Sequence, residues 1–163
     1  MAVSTYYPSF SEIFEKVSKL KTKKDKVAYL KEWNTDALRI VVKASFDPKI
    51  EWLLPKGEVP FNPNEAPEGT EHTTLQMEAR QLYRFVKGGD NNITQNKREI
   101  LFVQMLEGLQ EKEAHLLVAA KDKRLHQVYK GLSKNVVMEA FDWDDNYMVV
   151  ENNYPQAPGP AAG

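Results

Sequence analysis

Apolar residues recur every three or four positions along most of the chain, which is the spacing of one buried face of an α-helix. Ser9 and Glu12 have the spacing of a capping box, and apolar residues follow at helical intervals from Phe10 to Leu20. Further helices are predicted to begin after Thr22, after Asn34 or Thr35, after Thr70 or Thr73, after Thr94, near Gln110 and after Ser133. The fifth helix is apolar on most sides between residues 100 and 106 and is expected to be buried there. The pattern therefore predicts an all-α fold, a compact bundle of about six to seven helices.

A proline-rich segment separates the third predicted helix from the fourth. Residues 47–70 contain five of the nine prolines, at positions 48, 55, 60, 63 and 67. Trp52, Leu54 and Phe61 alternate with these prolines, so we expect their burial to hold a long, ordered loop against the helices. We interpret residues 1–8 as an N-terminal extension, residues 9–150 as one helical domain, and residues 151–163, rich in Pro, Gly and Ala, as a disordered tail.

Composition narrows the functional classes. The 163 residues include no cysteine, which excludes disulfides, thiol nucleophiles and iron–sulfur clusters. The sequence has no apolar run of about 18 residues and no secretory signal, so we expect an intracellular protein that does not cross a membrane. The net charge of −1 provides no long-range attraction to nucleic acid, so any attraction must come from local clusters of charge.

No local motif predicts a catalytic, metal or cofactor site. The residues Asp142, Asp144 and Asn146 imitate the first ligands of a calcium loop, but the glycine and the glutamate that complete such a loop are missing. The histidines lack the spacing of a zinc site. We therefore expect no catalytic residue, no metal and no cofactor, although a site assembled only in three dimensions would leave no such signal.

Basic residues are concentrated in two parts of the chain. The first cluster covers the first two predicted helices and contains Lys16, Lys19, Lys21, Lys23, Lys24, Lys26 and Lys31. The second cluster contains Lys121, Lys123, Arg124, Lys130 and Lys134, and the residues after it include acidic side chains and no basic one. Such clusters often only solvate helix faces, but two of them favour a surface that binds the phosphates of a polyanion irrespective of sequence. The residues predicted to contact DNA are Lys19, Lys21, Lys23, Lys24, Lys26, Lys121, Lys123, Arg124, Lys130 and Lys134.

Several segments resemble the N-terminal DNA-binding domain of bacteriophage ATP-dependent DNA ligases. They are residues 13–17, 25–30, 38–46 and 52–55, followed by residues 97–106 and 125–132. The resemblance implies a helical domain that grips duplex DNA across the minor groove. The Lys-x-Asp-Gly motif with which the separate catalytic domain of these ligases is adenylated is absent, because Asp25 is followed by Lys26 instead of glycine. The resemblance therefore implies a binding module without nucleotidyltransferase activity.

The whole chain is also similar to a family of small uncharacterised proteins from large tailed bacteriophages of marine or cyanobacterial hosts. This similarity implies a location in the host cytoplasm, with association with the virion as an alternative. The leading hypothesis is a non-catalytic phage accessory protein that binds duplex DNA in replication, repair or packaging. The alternative is a protein–protein interaction module, a host-takeover factor or virion component, that uses helix faces and Trp52, Leu54 and Phe61 of the loop. An enzyme with a non-local site is a third possibility. Whether the two basic clusters share a face distinguishes the first two hypotheses.

Overall fold

The computed structural model describes residues 8–64 and 73–144, in which the regular elements are all helices and no β-strand is present. The first half contains α1 (Phe10–Lys19), α2 (Lys23–Glu32) and α3 (Asp36–Phe46). The second half contains α4 (Leu75–Glu78), a 3-10 segment (Ala79–Phe85), α5 (Gln95–Gly108), α6 (Glu111–Lys121), α7 (Leu125–Val128) and α8 (Lys134–Phe141). The predicted all-α bundle is confirmed, and the single turn α7, which was not predicted, raises the number of described helices above the expected six to seven.

Most helix starts are set by local side-chain caps. The Ser9 hydroxyl accepts from the Glu12 backbone N–H at 3.2 Å, and the Glu12 carboxylate accepts from the Ser9 N–H at 2.8 Å, which completes the predicted capping box. The side chains of Thr22, Thr35, Thr94, Gln110 and Ser133 accept backbone N–H groups in the same way. The starts of α1, α2, α3, α5, α6 and α8 are therefore confirmed.

The fourth predicted helix differs from the expectation. Its N-cap is Thr74 rather than Thr70 or Thr73, and the α-helix ends after one turn and continues as the 3-10 segment. The buried residues of this segment, Ala79, Leu82 and Phe85, recur every three positions. A 3-10 helix has three residues per turn, so it places all three on one side, whereas an α-helix would spread them.

The helices pack around a central pair formed by α3 and α6. Helix α2 packs against both α1 and α8 in one group of helices, and the 3-10 segment packs against both α4 and α5 in a second group. The expectation that α5 is buried on most sides is confirmed only in part. Met105 and Leu106 are buried and Leu101 packs against the core, but Ile100 is 46% exposed.

A buried carboxylate ties three helices together. Glu113 of α6 is 2% exposed, and its two carboxylate oxygens accept the backbone N–H groups of Phe10 and Leu75 at 2.8 and 2.9 Å. These N–H groups lie at the starts of α1 and α4, where the helix dipole is positive and attracts an anion. Glu113 therefore fixes the N-terminal ends of α1 and α4 against α6.

The proline-rich loop is held on the helices over residues 47–64, as predicted. The Trp52 indole N–H donates to the Ala44 carbonyl at 2.9 Å, and its ring packs edge-on against Phe102. Leu54 and Phe61 are partly buried against the core, and the Phe61 ring lies 5.6 Å from that of His115. The rest of the predicted loop, the N-terminal extension up to residue 7 and the predicted disordered tail lie outside the described residues.

Candidate nucleic-acid interface

Lysines of the first basic cluster surround the junction between α1 and α2. Lys19 ends α1, Lys21 lies in the junction, and Lys23 and Lys24 begin α2; all four side chains are exposed. Lys26, one turn into α2, is half-buried. In the part of the chain that the structure describes, Lys19, Lys21 and Lys24 form no ion pair. These three side chains are therefore exposed, and no described carboxylate forms an ion pair with them.

A close backbone approach adds the end of the second cluster to this surface. Gly131 has a positive φ of 96°, and a Cβ atom at this position would lie 2.7 Å from the Lys26 Cε and 3.6 Å from the Ser18 Cα. The turn that contains Lys130 and precedes Lys134 consequently lies against the α1–α2 junction. Both side chains are exposed. We define the lysine face as the following residues: Lys19, Lys21, Lys23, Lys24, Lys26, Lys130 and Lys134.

Lys121 was predicted to contact DNA, and its burial corrects that prediction. Its side chain is 1% exposed. The ammonium group donates to the carbonyl oxygens of Pro55 and Gly57 at 2.6 and 3.1 Å and to the Asp122 carboxylate at 2.7 Å. A buried charge needs such partners. Lys121 therefore holds the proline-rich loop on α6 and cannot reach a phosphate from this position.

Lys123 is also used to hold the loop. Its ammonium group donates to the Asp47 carbonyl oxygen at 2.6 Å, where the loop leaves α3. Burial lowers the pKa of Lys123, and the nearby Asp47 carboxylate partly opposes this effect. Arg124 follows in the same turn; it is exposed, and its guanidinium group donates to Gln127. The second cluster is therefore divided: Lys130 and Lys134 join the lysine face, whereas Lys121 and Lys123 face the loop.

The sequence contains a pattern that predicts the burial of Lys121, but the prediction from charge alone did not use it. Leu117 and Ala114 lie four and seven residues before it, on the same side of a helix, and both are fully buried. A lysine that continues an apolar face is turned inward. Its partners, at positions 55 and 57, are too distant in sequence to be recognised from the pattern.

The loop residues proposed for protein binding already make contacts within the domain. Trp52 donates its only polar hydrogen to Ala44, and Trp52, Leu54 and Phe61 all pack against the core. The side chains that were expected to contact a partner therefore serve first to attach the loop.

Other kinds of site find little support in the described ranges, 8–64 and 73–144. They contain no group of three or more His, Asp or Glu side chains placed to hold a metal ion. None of their helices is long and apolar enough to cross a membrane. A groove of about 520 Å³ runs beside the 3-10 segment and α5. Its lining residues are Thr73, Glu78, Arg84, Phe85, Leu101, Gln104, Met105, Glu107 and Gly108.

The fold and its surface define a class: a small helical domain with a concentrated lysine face and a loop attached by a buried lysine, Lys121, and a half-buried one, Lys123. The chain belongs to a family of unknown function, DUF6433, whose model matches residues 13–127. This match extends from the second turn of α1 into α7. Comparisons with curated proteins and with solved structures gave no match.

Proposed function

We propose that this protein is a non-catalytic bacteriophage accessory protein that binds duplex DNA through the lysine face. The observation that carries the proposal is the gathering of seven lysines where the end of α1, the start of α2 and the turn before α8 meet. Phosphate groups repeat along both strands of a duplex, so a compact group of exposed ammonium groups suits them. The contacts would be with the backbone and independent of sequence.

The position of these lysines at a helix start supports a binding role. Lys23 and Lys24 occupy the first turn of α2, where the helix dipole is already positive. Cations at that end of a helix lower its stability, so helix stability alone does not favour them there. Together the dipole and the lysines produce a local positive potential on a protein whose net charge is only −1. Such a potential attracts a polyanion.

The resemblance to the DNA-binding domain of phage ligases supports the same function. The resembling segments include residues 13–17 and 25–30, which lie in α1 and α2 beside the lysine face. The missing Lys-x-Asp-Gly motif supports a role without nucleotidyl transfer, such as assistance in replication, repair or packaging. The alternative, a protein-binding loop, has weaker support because Trp52, Leu54 and Phe61 pack against the core.

The test is a salt-dependent titration of a fluorescent DNA duplex with the purified protein. We expect binding at low salt that weakens steeply with added salt and is equal for unrelated sequences. The variant K19Q/K21Q/K24Q/K130Q removes four exposed lysines of the lysine face. Each lost phosphate contact lowers the slope of log affinity against log salt by about 0.9, so the slope should fall by up to about 3.6.

The matched control is K49Q/K56Q/K87Q/K97Q, which removes four exposed lysines outside α1, α2 and α8 and changes the net charge equally. It should keep nearly the slope of the parent protein. Absence of binding by the parent at low salt would overturn the proposal. Equal effects of the two variants would do so as well, because the binding would then depend on total charge rather than on the lysine face.

A further inference from the structure

The charge of the chain reverses directly after the lysine face. Lys134 is the last basic residue in the sequence, and the acidic residues that follow are Glu139, Asp142, Asp144, Asp145 and Glu151. We call residues 139–144 the acidic segment. The proposed function gives these carboxylates no role.

The structure brings the start of this segment to the lysine face. Helix α8 packs along α2, and the Glu139 carboxylate lies 3.0 Å from the Lys23 ammonium group. The turn just before α8 lies against Lys26, which is one turn further along α2. The two helices therefore run in opposite directions, so α8 ends near the start of α2, where Lys21, Lys23 and Lys24 are concentrated.

The remaining described acids of the segment follow within a short distance. Asp142 caps α8 with a positive φ of 58°, and Asp144 is exposed two residues later. Asp142 lies three residues beyond Glu139, which is less than one helical turn of about 5.4 Å. A tethered segment acts at a high effective concentration, on the order of millimolar, toward a surface within its reach. Carboxylates at this position therefore compete with phosphates for the same ammonium groups.

Resting on the proposed function, we infer that the acidic segment is an internal competitor of DNA: its carboxylates pair with the lysine face and weaken DNA binding until phosphates displace them. The Lys23–Glu139 ion pair is one such contact. Both side chains are more than half exposed, so the pair can open without disturbing the core. The competition is electrostatic and is weakened by salt, as DNA binding is.

The test compares the parent protein with the variant E139Q/D142N/D144N. Asparagine tolerates the left-handed conformation of position 142, so the cap of α8 is preserved. Because the parent must break the Lys23–Glu139 pair when it binds, the variant should bind duplex DNA about fivefold more tightly at low salt. The difference should shrink as salt is added, because salt screens the pair. The matched control E51Q/E58Q/E111Q replaces three exposed glutamates elsewhere, changes the net charge equally and should raise the affinity less.

A second measurement does not depend on DNA. Acetylation of lysines by a water-soluble acetylating reagent, followed by mass spectrometry, reports how freely each ammonium group reacts. Lys21, Lys23 and Lys24 should react faster in the acidic-segment variant, whereas Lys49 and Lys97 should react as in the parent. The milder variant D144N leaves α8 unchanged and should show the same direction of change.

The outcomes separate the two proposals. If the parent does not bind DNA but the acetylation rates change as expected, the proposed function fails and the internal contact stands. If DNA binds but neither the affinity nor the acetylation rates differ from those of the control variant, the competition is refuted and the proposed function stands.

Discussion

Replacing Lys121 with methionine would remove the ammonium group that joins the proline-rich loop to α6. Methionine retains much of the length and apolar volume of lysine, so the change isolates the charge and its hydrogen bonds. Three acceptors lose their donor: the carbonyl oxygens of Pro55 and Gly57 and the carboxylate of Asp122. Asp122 keeps the N–H of Gly57 as a donor but loses its counter-charge.

The size of the effect follows from burial. The side chains of Lys121 and Asp122 are only 1% and 7% exposed, so the remaining carboxylate is largely shielded from water. Removal of one partner from a buried ion pair typically costs about 3–5 kcal/mol, because it leaves an uncompensated charge. A domain of this size has a free energy of unfolding of about 5–15 kcal/mol. K121M should therefore remove a large part of its stability.

The assay is equilibrium unfolding in urea, combined with hydrogen exchange at the Gly57 amide. K121M should unfold at lower urea, and its Gly57 amide should exchange faster than in the parent because the loop is less tightly held. The double variant K121M/D122N removes the unpaired charge and should regain about 1 kcal/mol or more relative to K121M.

The control is K56M, which changes an exposed lysine in the same loop and should alter stability by less than about 0.5 kcal/mol. A loss for K121M as small as that of K56M would refute the assignment of Lys121 as the attachment of the loop. The lysine would then be free to belong to a binding surface.

Two further predictions concern buried groups beside α1. E113Q should lower the free energy of unfolding by about 1–3 kcal/mol, since one amide oxygen cannot accept from both Phe10 and Leu75, and urea unfolding that matches the parent would contradict this. Burial, with smaller contributions from Glu15 and Glu113, raises the pKa of the Tyr129 hydroxyl above its usual 10.0. Above about pH 10 the unfolded chain therefore loses this proton while the folded protein keeps it. This raised pKa contributes stability that is present below about pH 10 and is lost as the pH rises. The free energy of unfolding of Y129F should therefore fall less between about pH 9 and pH 11 than that of the parent. Parallel curves of unfolding free energy against pH for the two proteins would argue against this assignment.

The parts of the fold that could be predicted depend on neighbours in sequence. Ser9, Thr22 and Thr94 cap helices through hydrogen bonds to backbone groups three residues later, and these caps are visible as local patterns. The 3-10 segment could not be predicted in this way. Its three-residue spacing of buried side chains also fits an α-helical pattern, and the choice between them depends on what each side packs against.

The candidate interface was predictable only in part. Lys19, Lys21, Lys23 and Lys24 are exposed, as their charge suggests. They share one surface because they lie close together in sequence. The division of the second cluster could be foreseen only for Lys121, which continues an apolar face of α6; its acceptors and the position of Lys130 could not. Lys121 and Lys130 differ by nine positions, yet one is buried beneath the loop and the other lies at the lysine face.

The sequence by itself determined the helical class and most helix starts, because the periodicity of apolar residues and the helix caps depend on residues a few positions apart. It also determined that the loop is attached by its apolar residues, because the hydrophobic effect has no direction and needs no particular partner. Only the tertiary structure decided which partners the charged side chains have. Lys121 finds acceptors 64 and 66 residues away in the chain, and Lys23 finds Glu139 on another helix. A charged side chain is buried or exposed according to the partners that folding brings to it, and those partners are set by the packing of the whole domain.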